Sequence, residues 1–83
     1  MYDPYFTFRS ITAATQGSRV LERGGVSAVM VRTPKELRQQ GCGYSLRVRA
    51  DALARAKRLL AQEGVRYQRI YCRSGNGWQE VRL

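Results

Sequence analysis

The sequence predicts one α+β domain in which two similar strand-helix-strand units follow one another. Short apolar stretches alternate with two amphipathic helical stretches, and each helical stretch ends at glycine followed by valine. Matching residues recur at an offset of 39 positions: Ala13, Val20 and Leu21 correspond to Ala52, Leu59 and Leu60. Two such units predict a ferredoxin-like βαββαβ fold, with a four-stranded antiparallel sheet and two helices on one face.

The first unit begins with an aromatic strand over 5–8. Ser10 offers a hydroxyl cap to the following helix, and Gly24-Gly25 ends that helix with a left-handed residue. A strand rich in β-branched residues is then predicted over 26–31.

The second unit has a half-exposed strand over 45–49, a helix over 50–63 and a last strand over 65–72. We therefore predict that residues 1–72 form the ferredoxin-like domain. Residues 73–83 are predicted to be a C-terminal tail or an extra edge strand, because Ser74-Gly75-Asn76-Gly77 is a strong turn signal.

Composition limits the function. The 83 residues include no histidine, which excludes ordinary zinc sites and histidine-based acid–base catalysis, and we expect neither metal nor cofactor. No apolar run is long enough to span a bilayer, and the N-terminus lacks the features of a signal peptide, so we expect a cytoplasmic protein without membrane contact. Two cysteines without an export signal do not indicate a disulfide scaffold.

The net charge is +9, from 13 Arg and 2 Lys against six acidic residues. This balance favours an anionic partner, which could be a nucleic acid, a phosphate-bearing molecule or an acidic protein. The basic residues are spread along the chain, so a merely solvated basic surface is an equally good interpretation.

The connection between the second and third strands carries the candidate chemistry. It is long for a hairpin, and it contains Thr33-Pro34, which can open a short helical turn. It ends in Gly41-Cys42-Gly43, where the flanking glycines leave the sulfur unshielded. In the predicted fold this connection lies near Arg9, Ser10 and the first turn of the first helix. A helix N-terminus and nearby arginine side chains stabilise a thiolate. Cys42 is therefore the candidate reactive thiol.

The chain resembles a family of small bacterial selenium/sulfur carrier-like proteins. The resemblance covers about 5–71 and rests on Phe8-Arg9-Ser10, on Leu21 through Val26, and above all on Thr33-Pro34-Lys35-Glu36-Leu37 followed by Cys42-Gly43. Family members usually carry a serine shortly before the Cys-Gly pair, whereas Arg38-Gln39-Gln40-Gly41 stands here. The resemblance implies that Cys42 carries sulfur or selenium as a persulfide or selenosulfide between a donor enzyme and an acceptor protein, with Gly41, Gly43, Arg9, Ser10, Thr33 and Pro34 in support.

Three alternatives stay open. The open sheet face could bind RNA or another anion, including a tRNA, through rings and guanidinium groups at Tyr5, Arg47, Arg49, Tyr67 and Arg69. That face could instead form a homodimer or be covered by the tail. A small-ligand regulatory domain is also compatible with the fold. A self-sufficient enzyme is less expected than a carrier or binding protein, because no histidine is available as a base.

Overall fold

A computed structural model describes residues 2–38 and 43–82. Its strands are β1 (Tyr5–Thr7), β2 (Ala28–Arg32), β3 (Tyr44–Val48), β4 (Arg69–Ser74) and β5 (Gly77–Glu80). The helices are α1 (Ile11–Arg23) and α2 (Leu53–Gln62), with short 3-10 turns at Lys35–Leu37 and Ala50–Ala52. The predicted α+β class, the two helices and the antiparallel pairing are confirmed.

The sheet has the order β2-β3-β1-β4-β5, and every neighbouring pair is antiparallel. The predicted four-stranded sheet is wrong, because β5 adds a fifth strand beside β4. Gly75 has a positive φ of 57° in the tight turn between β4 and β5, which a residue without a Cβ adopts at little cost. Strand β4 begins at Arg69 and not at Val65, so the loop from α2 into the sheet is longer than predicted.

The two helices end in the same way. At the end of α1 the N–H of Val26 donates to the carbonyl of Leu21 (2.8 Å), and at the end of α2 the N–H of Val65 donates to that of Leu60 (2.9 Å). Gly25 and Gly64 supply the positive φ, at 81° and 70°. These are Schellman motifs, and their residues are related by the offset of 39 seen in the sequence.

The core lies between the helices and one face of the sheet. Phe6 on the central strand pairs with Leu46 on one side and Ile70 on the other, and all three are buried. Burial of apolar area on this face is the main stabilising contribution to the fold. The other sheet face is not covered by a helix. Two polar side chains on that face, Thr7 and Ser45, are nevertheless buried.

Candidate functional site

Three connections meet at one edge of the sheet. Because β1 and β2 run in one direction and β3 and β4 in the other, this edge receives the junction from β1 to α1, the connection from β2 to β3, and the loop from α2 to β4. A groove of about 860 Å³ lies there. Its lining includes Arg9 and Ser10 from the first of these segments, Thr33 and Arg38 from the second and Arg66 from the third.

The lining of the groove is strongly basic. It includes the four arginines Arg9, Arg38, Arg66 and Arg69, and none of the six acidic residues of the chain. Arg69 is partly neutralised, because its Nη1 lies 3.1 Å from Oε2 of Glu80. Among the residues that the structure describes, Arg9, Arg38 and Arg66 have no ion-pair partner. The groove therefore presents an uncompensated positive charge.

The first turn of α1 adds to this potential. Ser10 has extended backbone angles (φ −143°, ψ 160°), and its Oγ accepts a hydrogen bond of 3.1 Å from the N–H of Ala13. This is the predicted N-cap. No acidic residue occupies the first turn, so the positive end of the helix dipole is not compensated locally. Both Ser10 and Ala13 line the groove.

The connection from β2 to β3 is held closed at its base. The N–H of Thr33 donates to the carbonyl of Gly43 at 2.6 Å, and Oγ1 of Thr33 lies 2.6 Å from Oγ of buried Ser45. Pro34 precedes the 3-10 turn with φ −52°. A Cβ built on Gly43 would lie 3.8 Å from Cδ and Nη1 of Arg38. The two ends of the segment 39–42 thus lie close together beside the groove.

The predicted thiol itself, Cys42, and its neighbour Gly41 lie outside the described residues. Of the supporting residues that the structure describes, Arg9, Ser10 and Thr33 line the groove. Pro34 and Gly43 belong to the same connection between β2 and β3 but are not part of the lining. Arg38 and Arg66 are absent from the residues predicted for the site. The sequence could have predicted both, because each belongs to a connection that the topology brings to the same edge of the sheet as Arg9.

Replacing Thr33 by valine tests the anchoring of this connection. Thr33→Val keeps the shape but leaves the hydroxyl of Ser45, which is 0% exposed, without its partner. We expect a loss of about 1–3 kcal/mol in the free energy of unfolding, measured in urea. The double variant Thr33→Val/Ser45→Ala removes both hydroxyls and should recover much of the loss. A single variant as stable as the wild type would show that the contact does not hold the connection.

The second cysteine, Cys72, lies towards the opposite edge. It is half-buried on β4, and its Sγ lies 4.0 Å from the carbonyl oxygen of Tyr2. Burial raises the pKa of the Cys72 thiol, and the carboxylate of Asp3 raises that pKa further. The environment of Cys72 therefore favours an unreactive thiol.

This pKa direction predicts slow alkylation of Cys72. In a Cys42→Ala variant, where Cys72 is the single thiol, the rate with iodoacetamide should rise only above the ordinary thiol pKa, because the thiolate is the nucleophile. The same variant unfolded in urea is the control and should titrate at the ordinary value. A folded protein whose thiol titrates at or below the unfolded value would contradict the assignment.

The open sheet face gives mixed support to the predicted nucleic-acid surface. Tyr5 and Arg47 are opposite one another, but the ring of Tyr5 already meets the edge of Trp78 at 5.1 Å. Arg49 is paired with Asp51 (3.2 Å), and Arg69 is paired with Glu80, as noted above.

Tyr67 is not on the open face. Its ring packs edge-to-face against Phe6 at 5.1 Å, on the side of the helices. The open face therefore does not present the expected set of stacking rings and free guanidinium groups. Trp78 of β5 packs on Tyr5, and Arg49 and Arg69 form ion pairs with acidic residues.

Residues 3–72 match the model of the family described as "Putative Se/S carrier protein-like". The chain belongs to this family. The resemblance predicted from the sequence is thereby confirmed at the level of the Se/S carrier-like family. That Thr33-Pro34 followed by Cys42-Gly43 marks this family stays a prediction. Neither the curated proteins nor the solved structures gave a match.

The described residues of the Se/S carrier-like chain form neither a metal cluster nor a membrane-spanning helix. Within residues 2–38 and 43–82, no cluster of three acidic, histidine or cysteine side chains is arranged to hold a metal ion. Over the same residues, neither helix is long and apolar enough to cross a bilayer.

Proposed function

We propose that this protein carries sulfur or selenium on Cys42, as a persulfide or a selenosulfide, between a donor enzyme and an acceptor protein. The membership of the Se/S carrier-like family supports the class of activity. The observation that supports the choice of residue is the closed base of the connection that contains Cys42. Arg38 and Gly43, the described residues on either side of 39–42, lie beside each other at the basic groove.

The groove supplies the electrostatics that a carrier thiol needs. A thiolate, and equally the terminal sulfur or selenium anion of a loaded carrier, is stabilised by nearby guanidinium groups and by a helix N-terminus. Arg9 and Arg38 are two such groups without an ion-pair partner among the described residues, and α1 begins beside them. We infer that this groove favours the anionic form of a thiol, persulfide or selenosulfide carried on Cys42.

The transfer needs no cofactor and no net oxidation. The Cys42 thiolate attacks the terminal sulfur of a persulfide on the donor enzyme; a new S–S bond forms at Cys42, the donor S–S bond breaks, and the donor thiolate leaves. A nucleophile of the acceptor then takes the terminal sulfur and releases the Cys42 thiolate. A donor that carries selenium in place of the terminal sulfur gives the selenosulfide by the same exchange.

The remaining features of the proposal follow from this role. The partners are a donor enzyme and an acceptor, with a tRNA or another anionic molecule as a further partner, and we place the exchange in the cytoplasm. A homodimer through the open sheet face is compatible with the role. The order β2-β3-β1-β4 supports a ferredoxin-like arrangement of the first four strands, to which β5 is added.

Loading of the wild-type protein tests the proposal. After incubation with a cysteine desulfurase and cysteine, intact-mass measurement should show the addition of one sulfur atom, and a reductant should remove it. The same mixture without the desulfurase is the control. An unchanged mass under conditions that load an established acceptor protein would refute the carrier function.

A further inference from the structure

The basic groove has a feature that thiol chemistry alone does not require, namely three guanidinium groups from three separate connections, none of which has an ion-pair partner within residues 2–38 and 43–82. We propose that the groove of Arg9, Arg38 and Arg66 is a binding site for the phosphate group of a second molecule. Arg9 and Arg38 also serve the proposed carrier thiol, but the phosphate site can be tested without that thiol, because every residue in it is described by the structure and none is Cys42.

The number and origin of the charges favour phosphate. Arg9 follows β1, Arg38 ends the 3-10 turn and Arg66 lies in the loop before β4, so the groove gathers side chains that are far apart in the sequence. Guanidinium groups form paired hydrogen bonds with phosphate oxygens, and they remain charged at every pH that a folded protein tolerates. Three positive charges are more than a singly charged thiolate or carboxylate needs, and they suit the double negative charge of a phosphate monoester.

Neutral groups of the lining complete such a site. Ser10 and Ala13 bring the N-terminal turn of the 13-residue helix α1 to the groove, and the dipole of this turn favours an anion. The hydroxyl-bearing side chain of Tyr67 also lines the groove, on the side of the helices. The helix turn and Tyr67 would add neutral donors to a site whose positive charge comes from the arginines.

The size of the groove fits more than an isolated ion. At about 860 Å³ it has the volume of a site for a small organic molecule. Guanidinium groups bind the phosphate oxygens both of a phosphate monoester, which is a dianion, and of a nucleotide unit in RNA, whose phosphodiester carries one negative charge. The two sources differ in charge spacing and in salt dependence, and the experiment separates them.

The test compares two variants with the same change of charge. Arg9→Gln/Arg38→Gln/Arg66→Gln removes the groove arginines, and Arg19→Gln/Arg23→Gln/Arg58→Gln removes three exposed arginines of the helices that do not line it. Both are made in the Cys42→Ala protein, so that thiol chemistry cannot contribute, and circular dichroism checks that each is folded. Binding of inorganic phosphate, adenosine 5′-monophosphate and oligouridylate is measured by calorimetry at two salt concentrations.

We expect the groove variant to bind adenosine 5′-monophosphate at least about tenfold more weakly than its parent, and the helix variant to change by less than about twofold. Preferential binding of the monophosphate assigns a small phosphate ester, whereas tighter, salt-sensitive binding of oligouridylate that is lost in the groove variant assigns RNA. Absence of binding to all three probes, or equal weakening in the two variants, would overturn the proposal. Since Cys42 is absent throughout, neither result depends on the carrier function.

Discussion

Replacing Cys42 by alanine is expected to abolish the sulfur loading of this protein, from one sulfur atom per chain to none. The expectation follows from the chemistry of exchange, because only a thiolate can accept the terminal sulfur of the donor persulfide. The chain holds one other thiol, Cys72, and its pKa is raised by burial and by Asp3. Cys72 is therefore a poor replacement for Cys42.

The matched control for this prediction is Cys72→Ala, which removes a thiol of the same type from the opposite edge of the sheet. It should load as the wild type does. Intact-mass spectra of both variants are taken after the same incubation with desulfurase and cysteine. Loading that persists in Cys42→Ala and disappears in Cys72→Ala would show that Cys72 is the carrier thiol and would contradict the account.

Truncating Phe6 is expected to have the largest effect on stability. Its side chain is 0% exposed, lies on the central strand between Leu46 and Ile70, and meets the ring of Tyr67 at 5.1 Å. Phe6→Ala should therefore cost about 3–5 kcal/mol of unfolding free energy, since it removes buried area and leaves a cavity. Domains of this size have about 5–15 kcal/mol in total, so much of the stability would be lost.

Ile11→Ala is the control for Phe6→Ala. Ile11 is 51% exposed at the start of α1, and its truncation should change the unfolding free energy by no more than about 0.5 kcal/mol. Urea unfolding followed by circular dichroism measures both variants. A cost below about 1 kcal/mol for Phe6→Ala would show that the centre of the sheet is not the centre of the core.

The repeated unit was the most informative part of the sequence. The offset of 39 relates Gly25-Val26 to Gly64-Val65, and the structure gives both pairs the same helix-ending hydrogen bonds. Local signals of this kind are reliable because they depend on a few consecutive residues. Ser10 is a second example, since its side chain caps α1 as its position predicts.

What the sequence did not predict depends on contacts between distant segments. Trp78 reaches the ring of Tyr5 across the sheet, and this contact helps to attach the fifth strand, which the sequence offered only as one of two alternatives for residues 73–83. Tyr67 was expected on the open face because strand alternation was extended back to Val65, whereas β4 begins only at Arg69. Arg38 and Arg66 could have been added to the site by asking which connections share an edge of the sheet with Arg9.

The central claim, that Cys42 carries the transferred atom, is tested most directly by locating that atom in the wild-type protein. After loading, the free persulfide is trapped by alkylation and the chain is cut with trypsin under non-reducing conditions. Cleavage after arginine separates the two cysteines into the peptides 39–47 and 70–73. The account predicts the added sulfur or selenium in peptide 39–47; its appearance in peptide 70–73 alone would contradict the account.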